Sequence, residues 1–279
     1  MNHRKILNII GRIVSVEAAF MLPALLISAF RHERASAIAF AVSMAAGLVL
    51  GLALGLIRPK KEGMYAREGF VTVGIAWIAV SVVGALPFLL SGAVPNFIDC
   101  LFETVSGFTT TGASVIADIE ALPRGLVYWR SFTHWLGGMG VLVFVLALSP
   151  LTQKDSGESM HLLRAESPGI KISKLVPRMM RSASILYAIY IVMTLLQIVL
   201  LLIDRLPLFD AVTLSFGTAG TGGFGIKNDS LASYSAYTQW VIAVFMMLFA
   251  VNFNIFYLIL IGQARDAFRN EELRAYLAI

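Results

Sequence analysis

"FIDCLFETVSGFTTTGAS", residues 97–114, decides the fold. Its first part is apolar enough to enter a bilayer but too short to cross one, which takes about 20 residues of helix. Its end is polar: three threonines, then Gly112, Ala113 and Ser114. Such a run fills no hydrophobic core. Non-helical backbone at membrane depth is tolerated only where it lines a cavity or is buried in protein. A second stretch, "LFDAVTLSFGTAGTGGFG" at 208–225, shares the plan: an apolar start with an aromatic residue, an Asp, then Thr-Gly. Asp99 stands 13 positions before Gly112, and Asp210 stands 12 before Gly222. Both apolar pieces, Phe97–Phe108 and Leu208–Phe216, read as re-entrant half-helices.

Working outward, hydrophobic residues make up 58% of the 279 and charged ones 14%, against about one quarter charged in a soluble domain. The expected class is therefore an all-α membrane protein. Six segments are long and apolar enough to span: 7–30, 36–57, 70–91, 125–150, 183–203 and 236–262. The N-terminal basic stretch followed by an apolar run resembles a signal peptide, with Ala35-Ser36-Ala37 as a cleavage-like site. Arg31, Glu33 and Arg34 stand between that site and the apolar run, so a retained first span is expected. One cysteine, Cys100, excludes an internal disulfide framework and a Cys-based zinc site. The net charge of +5 does not point to nucleic acid. With the N-terminus inside, all basic residues but Arg31, Arg34, Arg124, Arg130, Arg205 and Lys227 fall on cytoplasmic segments. That asymmetry places both termini in the cytoplasm and both Thr/Gly runs on the opposite side.

The repeat organises the chain. Residues 1–62 form a two-helix lead-in, 63–155 a first pore repeat, 156–182 a cytoplasmic linker and 183–265 a second pore repeat. Residues 266–279 look like the start of a further one, cut short. Each repeat reads as span, half-helix, loop, span. Repeats of this kind mark the functional site of a transporter or channel.

A returning half-helix brings its C-terminal carbonyls into the membrane, where their partial negative charge favours a cation. The loop behind it must turn its carbonyl oxygens toward one axis, and glycine takes φ > 0 without a Cβ clash. Such oxygens replace the hydration shell of a large monovalent cation. Gly112 and Gly222 are the expected pivots, with Thr110, Thr111, Gly220 and Thr221 supplying carbonyls before them. An ordinary tight turn is the competing reading of one loop alone. "GTGGFG" (220–225) also fits a dinucleotide fingerprint, but membrane spans flank it and no acidic residue follows about 20 positions on.

Other residues carry less. His134 lacks His or Cys partners at helical spacing and reads as packed or hydrogen-bonded. Gly137, Gly138 and Gly140 fit either a hinge or close helix packing. Glu17 inside the first span is either functional or a structural partner of Arg12. Asp99, Glu103 and Asp210 either concentrate cations outside a pore or solvate its mouth. No Ser/His, paired-Asp or HExxH constellation supports an intramembrane enzyme.

"SGFTTTGAS" followed by "WRSFTHWLGGMGVLVFVLALSP", with "AESPGIKISKLVPR" (165–178) and "GTAGTGGFG", resembles the Trk/Ktr potassium-transporter superfamily, closest to the Trk type. The resemblance runs along essentially the whole chain. It implies a two-helix lead-in and four span–pore-helix–filter–span repeats around one pore, of which this chain has two. It implies K⁺ uptake across a bacterial inner membrane, a homodimer with one pore per full chain, and a cytosolic nucleotide-binding regulatory subunit. By motif position the K⁺ filter residues are Thr110, Thr111 and Gly112, then Gly220, Thr221 and Gly222, with Ala113 and Gly223 following. Coupling to H⁺, to Na⁺ or to neither stays open, as does the alternative of a non-conducting remnant or assembly partner.

Overall fold

The computed structural model describes residues 2–59, 66–140 and 179–278, and every regular element among them is a helix. Helices α1 (His3–Phe20) and α2 (Leu22–Phe30) make one 28-residue apolar unit broken at Met21. Pro23 lies in the first turn of α2, where it has no N–H to continue the ladder. Helix α3 (Arg34–Gly55) runs back along α1 on a seam of small residues. A Cβ on Gly11 would strike Gly51 and Gly55, and one on Gly47 would strike Ala18. Close backbone approach of this kind is how helices associate where lipid removes the hydrophobic drive.

Helix α4 (Ala66–Leu90) packs on both, and α5 (Phe97–Phe108) packs on α4 and on α6 (Arg124–Gly138). Then come α7 (Met179–Ile203), α8 (Leu208–Ala219), α9 (Ala236–Ala250) and α10 (Phe253–Leu260). The core lies where α1, α4, α5 and α6 meet, around buried Phe88, Phe108 and Trp129. The Trp129 indole donates to the Gly84 carbonyl at 2.9 Å. Outward faces stay apolar, with Val49, Ile78, Val192 and Trp240 exposed, as suits a lipid-facing surface.

Half-helix α5 has the expected bounds, while α8 runs three residues past Phe216 to Ala219. Asn96 starts α5 by accepting the Ile98 N–H at 3.0 Å. Pro207 precedes α8, and Asp99 and Asp210 sit in the two first turns, where the helix dipole favours a carboxylate.

The expected span 236–262 is not continuous. Helices α9 and α10 meet at 88°. Val251 is extended, and Asn252 caps α10 by accepting the Asn254 N–H at 3.0 Å while donating to Glu272 at 3.0 Å. Among the described residues four helices are long and apolar enough to cross a membrane, or five with the bent pair as one span. The expected span 125–150 is described only to residue 140, and the linker 156–182 and the motif 165–178 lie outside the described residues up to position 178. Two short helices, α11 (Ala264–Arg269) and α12 (Glu271–Ala278), close the chain, with Ala267 and Leu273 packed on Ile255.

Asp204, just after α7, accepts from the Ser235 hydroxyl and from the Thr238 hydroxyl at 2.7 Å, tying α7 to the start of α9. These two donors hold its carboxyl below the usual carboxylate range. A depressed carboxylate stabilises above its unfolded pKa and loses that contribution as pH falls through its folded pKa. Amides at the start of α9 therefore exchange faster, after intrinsic correction, as pH falls from the ordinary carboxylate value of about 4 through the lower folded pKa of Asp204. Equal protection above and below that point in hydrogen-exchange mass spectrometry would remove Asp204 from this role.

Candidate ion site

The chain leaves α5 through a left-handed residue, Thr110 (φ 56°), and turns left-handed again at Gly112 (φ 74°). The Thr110 N–H donates to Gly107 O at 3.0 Å and the Thr111 N–H to Ser106 O at 2.9 Å. This is a helix-ending bond pair that usually carries glycine at its left-handed position. The exit from α8 shares the first bond, Thr221 (φ 59°) donating to Thr218 O at 2.8 Å, but the second comes one residue later, from left-handed Gly223 (φ 73°) to Gly217 O at 3.1 Å. A β-branched residue in that region costs about 1–2 kcal/mol. Backbone strain of this sort gathers at functional sites, and here it occurs in both loops at the same place.

The repeat is in strict register. Both half-helices, both aspartates, both left-handed threonines and both left-handed glycines are 111 positions apart. Thr110 thus corresponds to Thr221, Thr111 to Gly222 and Gly112 to Gly223, while Gly220 corresponds to Thr109 and Phe224 to Ala113. Pairing the two Thr-Gly dipeptides, Gly112 with Gly222, is one residue out of this register. The pivot expected at Gly222 lies at Gly223, because the backbone turn, and not the residue pair, sets the register.

The loops touch. A Cβ on Gly112 would run into the Gly222 carbonyl oxygen, and one on Gly222 would lie 2.6 Å from the Thr110 oxygen. Carbonyl oxygens of both loops therefore crowd one place. Among the described residues, no N–H or O–H donates to the carbonyls of Thr111, Gly112, Thr221 or Gly222. Backbone carbonyls are obligatory acceptors, so these four have acceptor capacity left over among the described residues.

Helix α6 forms the wall behind. His134 is fully buried against Gly220 and Gly222, with its ring 4.2 Å from that of Phe224, so it is a packed histidine. A Cβ on Gly137 would strike the Phe108 carbonyl, and one on Gly138 the Tyr190 hydroxyl and, at 3.1 Å, the Ala219 carbonyl. These glycines let α6 pass against the ends of both half-helices, which favours close packing over a hinge.

Charged residues depart further from expectation. Glu103 is at no mouth: it is buried and paired with buried Arg130, whose Nη1 donates to Gly225 O at 2.8 Å and whose guanidinium lies 3.6 Å over the Phe224 ring. Glu103 also accepts the Ser114 hydroxyl at 3.0 Å and the Val115 N–H at 3.2 Å. Counting Arg130 by side of the membrane hid this. An arginine and a glutamate inside apolar segments were the available signal. Asp210 faces Arg124 at 3.7 Å and accepts from Tyr234 at 3.2 Å, while Asp99 is half-buried beside a surface cavity. Arg12 does not reach Glu17, which is buried against Gly84 with neither carboxyl oxygen hydrogen-bonded among the described residues. Farther out, Asn228 joins the two post-loop segments: it accepts the Ile119 N–H at 2.8 Å, and its N–H donates to Glu120 at 3.0 Å.

The sequence profile described as "TrkH: Cation transport protein" matches residues 33–275. The chain belongs to the TrkH cation transport family. That is a family of transporters, not of enzymes. Its similarity to the Trk system potassium uptake protein TrkH of Salmonella typhimurium is 34% identity over 227 residues, covering 80% of this chain and 46% of the relative. The Trk system potassium uptake protein TrkG of Escherichia coli is 31% identical over 280 residues, covering 99% of this chain and 57% of the relative. The crystal structure of the potassium transporter TrkH from Vibrio parahaemolyticus matches with a TM-score of 0.83 at 28% identity, covering all of this chain and 57% of that one. The TrkH-family chain thus spans about half the length of the curated relatives it matches.

Proposed function

We propose that this TrkH-family chain supplies two of the backbone loops that dehydrate and select K⁺ as it crosses a bacterial inner membrane. The observation that carries the reading is the meeting of two strained loops in which the carbonyls of Thr111, Gly112, Thr221 and Gly222 accept no hydrogen bond among the described residues. By the 111-residue register the ion-facing residues are Thr110, Thr111 and Gly112 with Thr221, Gly222 and Gly223; Ala113 and Gly220 flank them. The C-terminal ends of α5 and α8 open into these loops and add partial negative charge. Oxygens held this way take the place of the water that a K⁺ ion sheds. The names of the relatives, potassium uptake proteins, agree with the chemistry.

On this reading both loops face the extracytoplasmic side and both termini the cytoplasm, by the basic-residue asymmetry. The family resemblance adds a homodimer and a cytosolic nucleotide-binding partner. The test is ⁸⁶Rb⁺ uptake into liposomes holding the native assembly, with K⁺ and Na⁺ as competitors. K⁺ competes at least about tenfold better than Na⁺, a difference of about 1.4 kcal/mol. Equal competition would sink the reading.

A further inference from the structure

We infer that Arg130 and Glu103 are positioning residues that lock the second loop onto the first and thereby set the spacing of the carbonyls facing the ion. The inference rests on the filter reading above and names what keeps that filter in shape.

Both side chains are withdrawn from water, 2% exposed for Arg130 and fully buried for Glu103. A buried ion pair adds little net stability over well-packed apolar residues, because desolvation offsets the attraction. What the pair does is better read from where its hydrogen bonds go. Glu103, on α5, accepts from Ser114 and Val115, the second and third residues after Gly112. Arg130, on α6, donates to Glu103 and to the carbonyl of Gly225, the second residue after Gly223. One buried unit therefore holds the exits of both loops at corresponding places.

Phe224 completes it. Its ring lies under the Arg130 guanidinium at 3.6 Å and against the His134 ring at 4.2 Å. Arg130 and His134 are one helical turn apart on α6 and share a face, so the two grip the residue next to the left-handed Gly223. Gly107, on the first repeat, approaches the same ring; a Cβ there would lie 3.7 Å from it. Arginine is required by the geometry. A planar fork serves two acceptors and a ring face at once, and a lysine ammonium does not.

The test compares Arg130→Lys, Glu103→Gln and Gly112→Ser with the unaltered protein in its native assembly. Hydrogen exchange reads the tie directly. Amides of Val115 and of residues 223–226 exchange at least about tenfold faster in the first two variants, the size expected when a hydrogen bond to a charged group is lost. Amides of the α1–α3 seam do not change. ⁸⁶Rb⁺ uptake reads the consequence: K⁺ over Na⁺ discrimination falls about tenfold, with K⁺ KM rising and the maximal rate held within about twofold. If Arg130→Lys does not fold, Glu103→Gln carries both measurements. Unchanged exchange at both loops in a folded variant overturns the inference. So does loosened exchange with intact discrimination, provided Gly112→Ser lowers discrimination; the pair is then only structural. If Gly112→Ser leaves discrimination intact as well, the filter reading has failed and this inference falls with it.

Discussion

Gly112→Ser lowers K⁺ over Na⁺ discrimination at least about tenfold, equivalent to about 1.4 kcal/mol. Two penalties act on the same atom. The backbone at Gly112 is left-handed, φ 74°, and a residue with a Cβ there costs roughly 1–2 kcal/mol. The added Cβ also collides with the carbonyl oxygen of Gly222 on the other loop. Relief of either moves a carbonyl that faces the ion on the proposed filter reading. Two controls separate these effects. Gly223→Ser keeps the left-handed penalty, but its Cβ meets only the Met246 methyl at 3.3 Å, so its effect is smaller. Gly74→Ser sits in open space on α4 and leaves discrimination unchanged. Competition of K⁺ and Na⁺ with ⁸⁶Rb⁺ uptake measures all three. A folded Gly112→Ser protein with the unaltered ratio would take Gly112 off the ion path.

The features that hydropathy and length decide were legible in the sequence. Phe97–Phe108 is a half-helix because a mostly apolar stretch of twelve residues, bounded by Asn96 and a threonine run, is too short to cross a bilayer. The lengths of the apolar segments also mark the lead-in pair and the repeat. What was not legible depends on backbone angles and on distant contacts. The one-residue slip between the loops arose because threonine stands at Thr110 and Thr221, where glycine is the usual occupant; residue type alone points to the wrong pivot. The break at Val251–Asn252 has no proline or glycine to announce it, only a capping asparagine inside an apolar run. Arg130 looked like one more charge at a membrane boundary. Its role depends on Glu103, 27 positions earlier, and on Gly225, 95 positions later, and periodicity carries no information over such spans.

A single copy of this chain in a liposome gives no ⁸⁶Rb⁺ uptake above that of protein-free liposomes. The two loops touch each other at Gly112 and Gly222, so on the proposed filter reading they line one side of the ion path together. Among the described residues no further Thr/Gly loop follows a half-helix on the opposite side. Potassium channels close the ring with four such loops, and their carbonyls jointly replace the hydration shell. Half a ring leaves an ion partly stripped and facing apolar surface, where an unpaired charge costs many kcal/mol. Each 1.36 kcal/mol lowers a rate about tenfold, so a deficit of only ~7 kcal/mol removes about five orders of magnitude. Uptake should therefore appear when two copies, or further repeats, bring two more loops to the same axis. Diluting protein into lipid until each vesicle holds at most one copy separates the cases. The active fraction of vesicles then falls with the square of the protein-to-lipid ratio if two copies are required. With protein shown to be monomeric before reconstitution, so that no preformed dimer enters as one particle, a linear fall would show that two loops are a sufficient filter by themselves.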